Sequence, residues 1–134
     1  MRISFDTNVL ASALAFPNGL CSRLLEECFD NHKVEISEYV LEELADVLVR
    51  KLYRSRHEVD GWIAELREHA RILPAVEPIP VVLRDPDDLP ILSAAVRFES
   101  DLLVSDDKDL LDLIDPPIPI LKPRALYDLL TANE

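Results

Sequence analysis

The chain has 134 residues, 49% of them hydrophobic, with 26 acidic against 14 basic side chains and a formal net charge of −12. That length and apolar share fit one domain, residues 1–134, with a single sizeable core, and exclude a disordered chain. No apolar run approaches the ~20 residues of a membrane span, and Met1-Arg2-Ile3-Ser4 runs into Asp6 rather than into a signal peptide, so a cytoplasmic protein with no membrane partner is expected.

Arg2 to Phe5 alternates like a strand and stops at Asp6, after which Val9 to Phe16 has helical spacing until Pro17-Asn18-Gly19 breaks it. Leu20, Leu24, Leu25 and Cys28 carry a second helix to about Asn31, and Val34 to Ser37 reads as a second strand. Ser37 is placed to cap a helix from Glu38 to Leu52, with Glu38 in its first turn. A helix over His57 to Ala70 follows, then a strand over Arg71 to Val76 and a loop at Glu77-Pro78-Ile79-Pro80. Asp88 opens a helix through Phe98, where Pro90 is tolerated because first-turn amides lack intrahelical partners. Leu102 to Val104 and Pro119 to Leu121 complete five strands, and Pro123 begins a last helix through Leu130. Strands alternating with helices specify an α/β domain with a mostly parallel sheet.

Cys21 and Cys28 lie seven apart on one predicted helix, too far to pair and too few for a zinc site, and read as buried thiols. His32, His57 and His69 show no ligand spacing and read as surface residues.

Acidic residues stand beside apolar runs at four separated places: Asp6; Glu42-Glu43; Asp85-Pro86-Asp87-Asp88; and Asp106-Asp107 with Asp109. Carboxylates gathered at one point raise one another's pKa, and the natural counterweight is a hard divalent cation, Mg²⁺ or Mn²⁺. Asp6 and Asp107 follow predicted strands, where open α/β sheets bind ligands, although each is also placed to cap the next turn. On the helix that carries them, at about 100° per residue, Glu43 falls about 40° from the apolar stripe and Glu42 nearly opposite it. Asp88 lies one turn before Ile91 and Leu92 on the buried side of its helix, with a helix cap as its rival use; Asp85 and Asp87 read as loop acids, Asp85 being the second-choice ligand. The pattern predicts a metal-dependent phosphoryl-transfer site. The net charge opposes nucleic-acid binding until the charge of a bound cation is counted.

Four segments in this order resemble the PIN-domain family, in particular the VapC-type ribonucleases that are toxins of toxin-antitoxin pairs: Phe5-Asp6-Thr7-Asn8-Val9-Leu10; Ser37 with Glu43-Leu44, Val47-Leu48 and Arg50; Arg84 to Asp88 with Ile91-Leu92 and Ala94-Ala95; and Leu103 to Leu111. The resemblance implies a PIN-like three-layer fold with a five-stranded parallel sheet in the order 3-2-1-4-5. It implies an acidic quartet of Asp6, Glu43, Asp88 and Asp107 that binds metal and catalyses, supported by Asn8, Ser105 and Asp109. It further implies RNA as substrate, a homodimer and a cognate antitoxin protein. Ser105 stands where threonine is usual and Asp106 where a small residue is usual, leaving open which of Asp106 and Asp107 faces the metal.

On this reading one or two Mg²⁺ or Mn²⁺ ions activate water for attack on an RNA phosphodiester. The densest basic stretch, Arg50, Lys51, Arg54 and Arg56, is the candidate RNA contact, its competing role being that of cations at a helix carboxyl end. A haloacid-dehalogenase-type phosphatase would need an aspartate where Asn8 stands, and a response-regulator receiver would need an acidic pair after the first strand. The remaining alternatives are a PIN-like RNA-binding or protein-interaction module without nuclease activity, and a PIN nuclease outside any toxin-antitoxin pair.

Overall fold

The computed structural model describes residues 1–132. Five strands, β1 (Arg2–Phe5), β2 (Lys33–Ser37), β3 (Arg71–Leu73), β4 (Leu102–Val104) and β5 (Ile120–Leu121), form one parallel sheet in the order β3-β2-β1-β4-β5. Among the described residues seven helices flank it: α1 (Thr7–Ala15), α2 (Leu20–Asn31), α3 (Glu38–Arg50), α4 (Arg56–His69), α5 (Leu89–Arg97), α6 (Lys108–Leu111) and α7 (Pro123–Thr131). Ile3 and Phe5 of β1, Val34 and Ile36 of β2, and all three residues of β4 are buried, as strands covered on both faces must be. None of the described helices is long and apolar enough to cross a membrane.

The expected order of elements holds, with local differences at their ends. β3 stops at Leu73 instead of Val76 because Pro74 has no N–H with which to continue the ladder. α1 starts at Thr7, two residues earlier than its apolar spacing implies, because the Asp6 side chain caps it. The helix expected from Asp88 divides into a 3-10 turn, Pro86–Asp88, followed by α5. The turn expected around Leu110 and Leu111 is the short helix α6. Both cysteines are buried free thiols, and burial pushes Cys28 up to about 12.

The register Ser4↔Glu35 brings a carboxylate into the middle of the sheet. Glu35 has 0% exposure, so its charge needs partners. Arg2 Nε donates to its Oε2 at 3.1 Å and Arg71 Nη1 at 2.9 Å, while Ser100 Oγ donates to Oε1 at 2.7 Å. Ser4 lies 2.6 Å from the Ser100 hydroxyl, and the Arg2 guanidinium also donates to the Phe98 carbonyl. One buried side chain therefore ties the start of β1 to β3 and to the turn between α5 and β4. Removing one partner of a buried ion pair costs about 3–5 kcal/mol, and because both arginines reach solvent and can rehydrate, Glu35→Ala should cost about 2–3 kcal/mol. Urea unfolding followed by circular dichroism checks this; an unchanged midpoint would show the network to be energetically neutral.

Candidate metal centre

Parallel pairing of β1 with β4 aligns Phe5 with Val104, so the residues that follow each strand emerge side by side at the carboxyl edge of the sheet. This is the point of strand-order reversal, with β2 on one side of β1 and β4 on the other. Asp6 and Ser105 are the first residues past these strands, and both are buried. Ser105 Oγ donates to Asp6 Oδ2 at 2.5 Å and accepts from the Asp107 amide at 2.9 Å. Asp6 Oδ1 accepts from the Thr7 amide at 2.6 Å, which caps α1. The Thr7 hydroxyl donates to Glu43 Oε1 on α3, and Asp107 Oδ1 accepts from the Asp109 amide at 2.9 Å. A continuous chain of bonds thus runs Asp109, Asp107, Ser105, Asp6, Thr7, Glu43, held by the edges of three elements.

Asp88 reaches the same place from the junction of the 3-10 turn with α5. Its side chain makes no capping bond to α5, so the rival role fails and the carboxyl is free to turn inward. Carboxylate oxygens of Asp88, Asp107 and Asp109 lie within 4.8 Å of one another. Asp88 Oδ2 is buried without a hydrogen-bond partner, an orphaned acceptor of a kind that folded proteins rarely leave. Three carboxylates with a spare buried oxygen and no nitrogen or sulfur donor make an all-oxygen set that fits a hard divalent cation.

The electrostatics agree with that fit. Burial, followed by a hydrogen bond shared with Asp107 and by the charges of Asp107, Asp6 and Asp85, pushes the Asp88 carboxyl up to about 8. Asp6 is also raised, chiefly by burial and further by Asp107 and Glu43, with the bonds from Ser105 and Thr7 opposing the shift. Tyr39 on α3 is pushed up to about 12 by burial and then by Glu43, Asp87, Asp85 and Asp88, so its phenol stays neutral beside the acids.

The sequence candidates occupy unequal positions. Asp6, Glu43, Asp107 and Ser105 share one hydrogen-bond chain, and Asp109 is a member of the tight carboxylate group rather than only a support to it. Glu43 is half-buried and Glu42 exposed, as the helical phase implies; Asp106 is exposed while Asp107 turns in. Asn8 is exposed, and the neighbouring Thr7 makes the contact to Glu43. Thr7 and Tyr39 were missed because neither carries charge; only the position of Thr7, directly after a capping aspartate, marked it. Asp85 caps the 3-10 turn by accepting from the Asp87 amide at 2.9 Å.

The basic stretch makes contacts of its own. Arg54 Nη2 donates to the Ala15 carbonyl at 3.1 Å at the carboxyl end of α1, and Arg50 pairs with Asp46 at 2.9 Å. Arg50 is about 10 Å along α3 from Glu43 at ~1.5 Å rise per residue. Arg54 thus acts as a tie between helix ends, the competing role raised by its sequence position, while Lys51 and Arg56 are exposed.

A folded-state pKa of about 8 for Asp88 against 3.8 as its ordinary value means that the folded protein binds the extra proton between those limits. Stability of the metal-free protein should therefore fall as pH rises from about 4 through about 8. Asp88→Asn should flatten that slope, and Mg²⁺ or Mn²⁺ should raise the melting temperature of the parent most at the alkaline end. Thermal scans from pH 5 to pH 8.5 check this; equal slopes in parent and variant would mean that Asp88 ionises normally.

The PIN domain family matches residues 2–109. No curated protein matches. Among solved structures, the fold is similar to a chain of the crystal structure of VapBC2 from Rickettsia felis bound to a DNA fragment from their promoter, with a TM-score of 0.69, 17% identity, and coverage of 91% of this chain and 98% of that one. It is also similar to a PilT N-terminus domain protein from the hyperthermophilic archaeon Sulfolobus solfataricus, with a TM-score of 0.65, 12% identity, and coverage of 100% of this chain and 97% of that one. With its family match over most of the length and the expected 3-2-1-4-5 sheet, the chain belongs to the PIN-domain family.

Proposed function

We propose that the protein is a divalent-metal-dependent endoribonuclease, using Mg²⁺ or Mn²⁺, and the toxin of a type II toxin-antitoxin pair. The observation that carries the nuclease reading is the convergence of Asp88, Asp107 and Asp109 around the unpartnered Asp88 oxygen, at the strand edge where Asp6 and Glu43 also lie. The toxin reading draws on the likeness of fold to the VapBC2 chain.

In this mechanism Asp88, Asp107 and Asp109 hold the cation, and Asp6 and Glu43 complete the acidic field around it. When bound, a divalent cation supplies Lewis-acid stabilisation of phosphate oxygens and activation of water for in-line attack. Ser105 keeps Asp6 and Asp107 in register by donating to one side chain and accepting from the other's amide. Thr7 holds Glu43 at the same edge. With Asp6 anchored at both oxygens, little reorganisation is needed when substrate arrives.

The partners follow from the same reading. Ala13, Leu14, Leu25, Phe29, Trp62 and Leu66 line a groove of about 520 Å³, rimmed by Glu26, Asp30 and Glu65, which suits a basic amphipathic antitoxin segment. An arginine or lysine from that antitoxin, inserted among the acids, would replace the cation's charge and inhibit cleavage. Exposed Phe16, Tyr53 and Leu129 are apolar surface that a second copy would cover in a homodimer.

Cleavage of labelled RNA by purified protein is the test. EDTA should abolish it and Mg²⁺ or Mn²⁺ restore it, whereas restoration by Zn²⁺ alone would contradict the all-oxygen site. Asp107→Asn and Glu43→Gln should lower the rate at least roughly a hundredfold, while Glu42→Gln keeps most of it. Undiminished cleavage by folded Asp107→Asn protein would sink the assignment.

A further inference from the structure

Beside the acidic centre, the loop before the 3-10 turn and the segment after α6 enclose an open groove of about 420 Å³, lined among others by Val82, Arg84, Asp109, Asp112 and Ile114. It is continuous with the carboxylate group through Asp109. Val82 is 95% exposed and Ile114 89% exposed, so two large aliphatic side chains flank the groove in water. Arg84 Nε stands 3.7 Å from Asp109 Oδ1 with 87% of its side chain exposed, a contact too long for a hydrogen bond and weak in solvent. Its guanidinium donors are therefore free to take another acceptor.

A polyanion approaching this chain meets a net charge of −12 and a concentrated acidic edge. Among the described residues, Arg84 is the one cation in a salt bridge with the carboxylate group, and it is the one cation lining the groove. Arg50, at the carboxyl end of α3, pairs with Asp46, and Arg54, in the loop after it, donates to the Ala15 carbonyl. Exposed aliphatic flanks suit a sugar or an unstacked base face, and a duplex keeps its base faces inside the stack. We infer that this groove takes the single-stranded RNA segment adjoining the cleaved phosphodiester, with Arg84 holding one backbone phosphate and Val82 and Ile114 packing against a sugar or base. This rests on the nuclease reading. Asp112 in the same groove restricts the contact to one phosphate.

The experiment is fluorescence anisotropy of a 5′-labelled single-stranded RNA with Mg²⁺ present, in an Asp107→Asn background that prevents cleavage, over a series of salt concentrations. Arg84→Ala should weaken binding about tenfold and reduce the slope of log K against log salt by about 0.7, the value for one phosphate contact on a single strand. Arg84→Lys should recover the slope and part of the affinity, because the charge returns without the planar fork. The Val82→Ser, Ile114→Ser double variant should weaken binding with the slope unchanged. In the cleavage-competent chain, Arg84→Ala should raise KM more than it lowers kcat. Parental slope, affinity and KM in Arg84→Ala would overturn the inference while leaving the nuclease reading to stand on parental cleavage. Loss of the dimer by the double variant with RNA affinity intact would assign the aliphatic pair to protein contact, and would overturn it too. Failure of the parent to cleave any RNA would instead remove the nuclease reading on which the groove depends.

Discussion

The hydrogen bond from Ser105 to Asp6 joins the ends of the two strands on which everything at the carboxyl edge depends. β1 and β4 are far apart in sequence and pair only because the order of the sheet reverses between them. Once they are paired, their first loop residues have to share a small buried volume, and a serine hydroxyl between two aspartates satisfies both. Asp6 then caps α1, Thr7 of that helix holds Glu43 of α3, and Asp107 caps α6 while its amide returns to Ser105. The fold thus sets Asp6, Glu43 and Asp107 in place through backbone amides and the hydroxyls of Ser105 and Thr7.

Such gathering opposes folding unless it is compensated. Two unit charges at 4.8 Å repel by about 3.5 kcal/mol at an effective dielectric of ~20, and Asp88, Asp107 and Asp109 fall within that separation. Against a typical domain stability of roughly 5–15 kcal/mol, a fully ionised and unneutralised trio is a large liability. The protein has two ways out: a proton retained on Asp88, toward which its raised pKa points, or a cation in place of that proton. The unpartnered Asp88 oxygen is the atom at which either a proton or a cation would be received. Glu35 meets the same problem in the opposite way, with two arginines and a serine built into the fold. One buried acid is neutralised by the chain itself; the other is left for something that binds.

Much of this was legible in the residues. The alternation of strand and helix, and the appearance of aspartates within three residues after β1 and β4, came from apolar periodicity and turn chemistry. The phase of α3 separated Glu43 from Glu42 because an amphipathic stripe fixes which side chains border the core. What was not legible depended on contacts between distant segments. Nothing local distinguishes a threonine that meets a glutamate across two helices, or an arginine that ties one helix end to another. The basic stretch at Arg50 to Arg56 is readable as charge density, whereas its contacts are not: Arg54 reaches the Ala15 carbonyl and Arg50 pairs with Asp46. Arg84 figured in sequence only as the start of a family segment and carried no role of its own, although folding brings it to Asp109.

The most direct measurement of the central claim is X-ray diffraction from crystals soaked in Mn²⁺, recorded at a wavelength where manganese scatters anomalously. The account predicts an anomalous peak in contact with Asp88 Oδ2 and with the carboxylates of Asp107 and Asp109, and its loss in crystals of Asp88→Asn. A peak elsewhere, or none at saturating Mn²⁺ with the three carboxylates still gathered, would contradict the assignment of this edge as a metal centre.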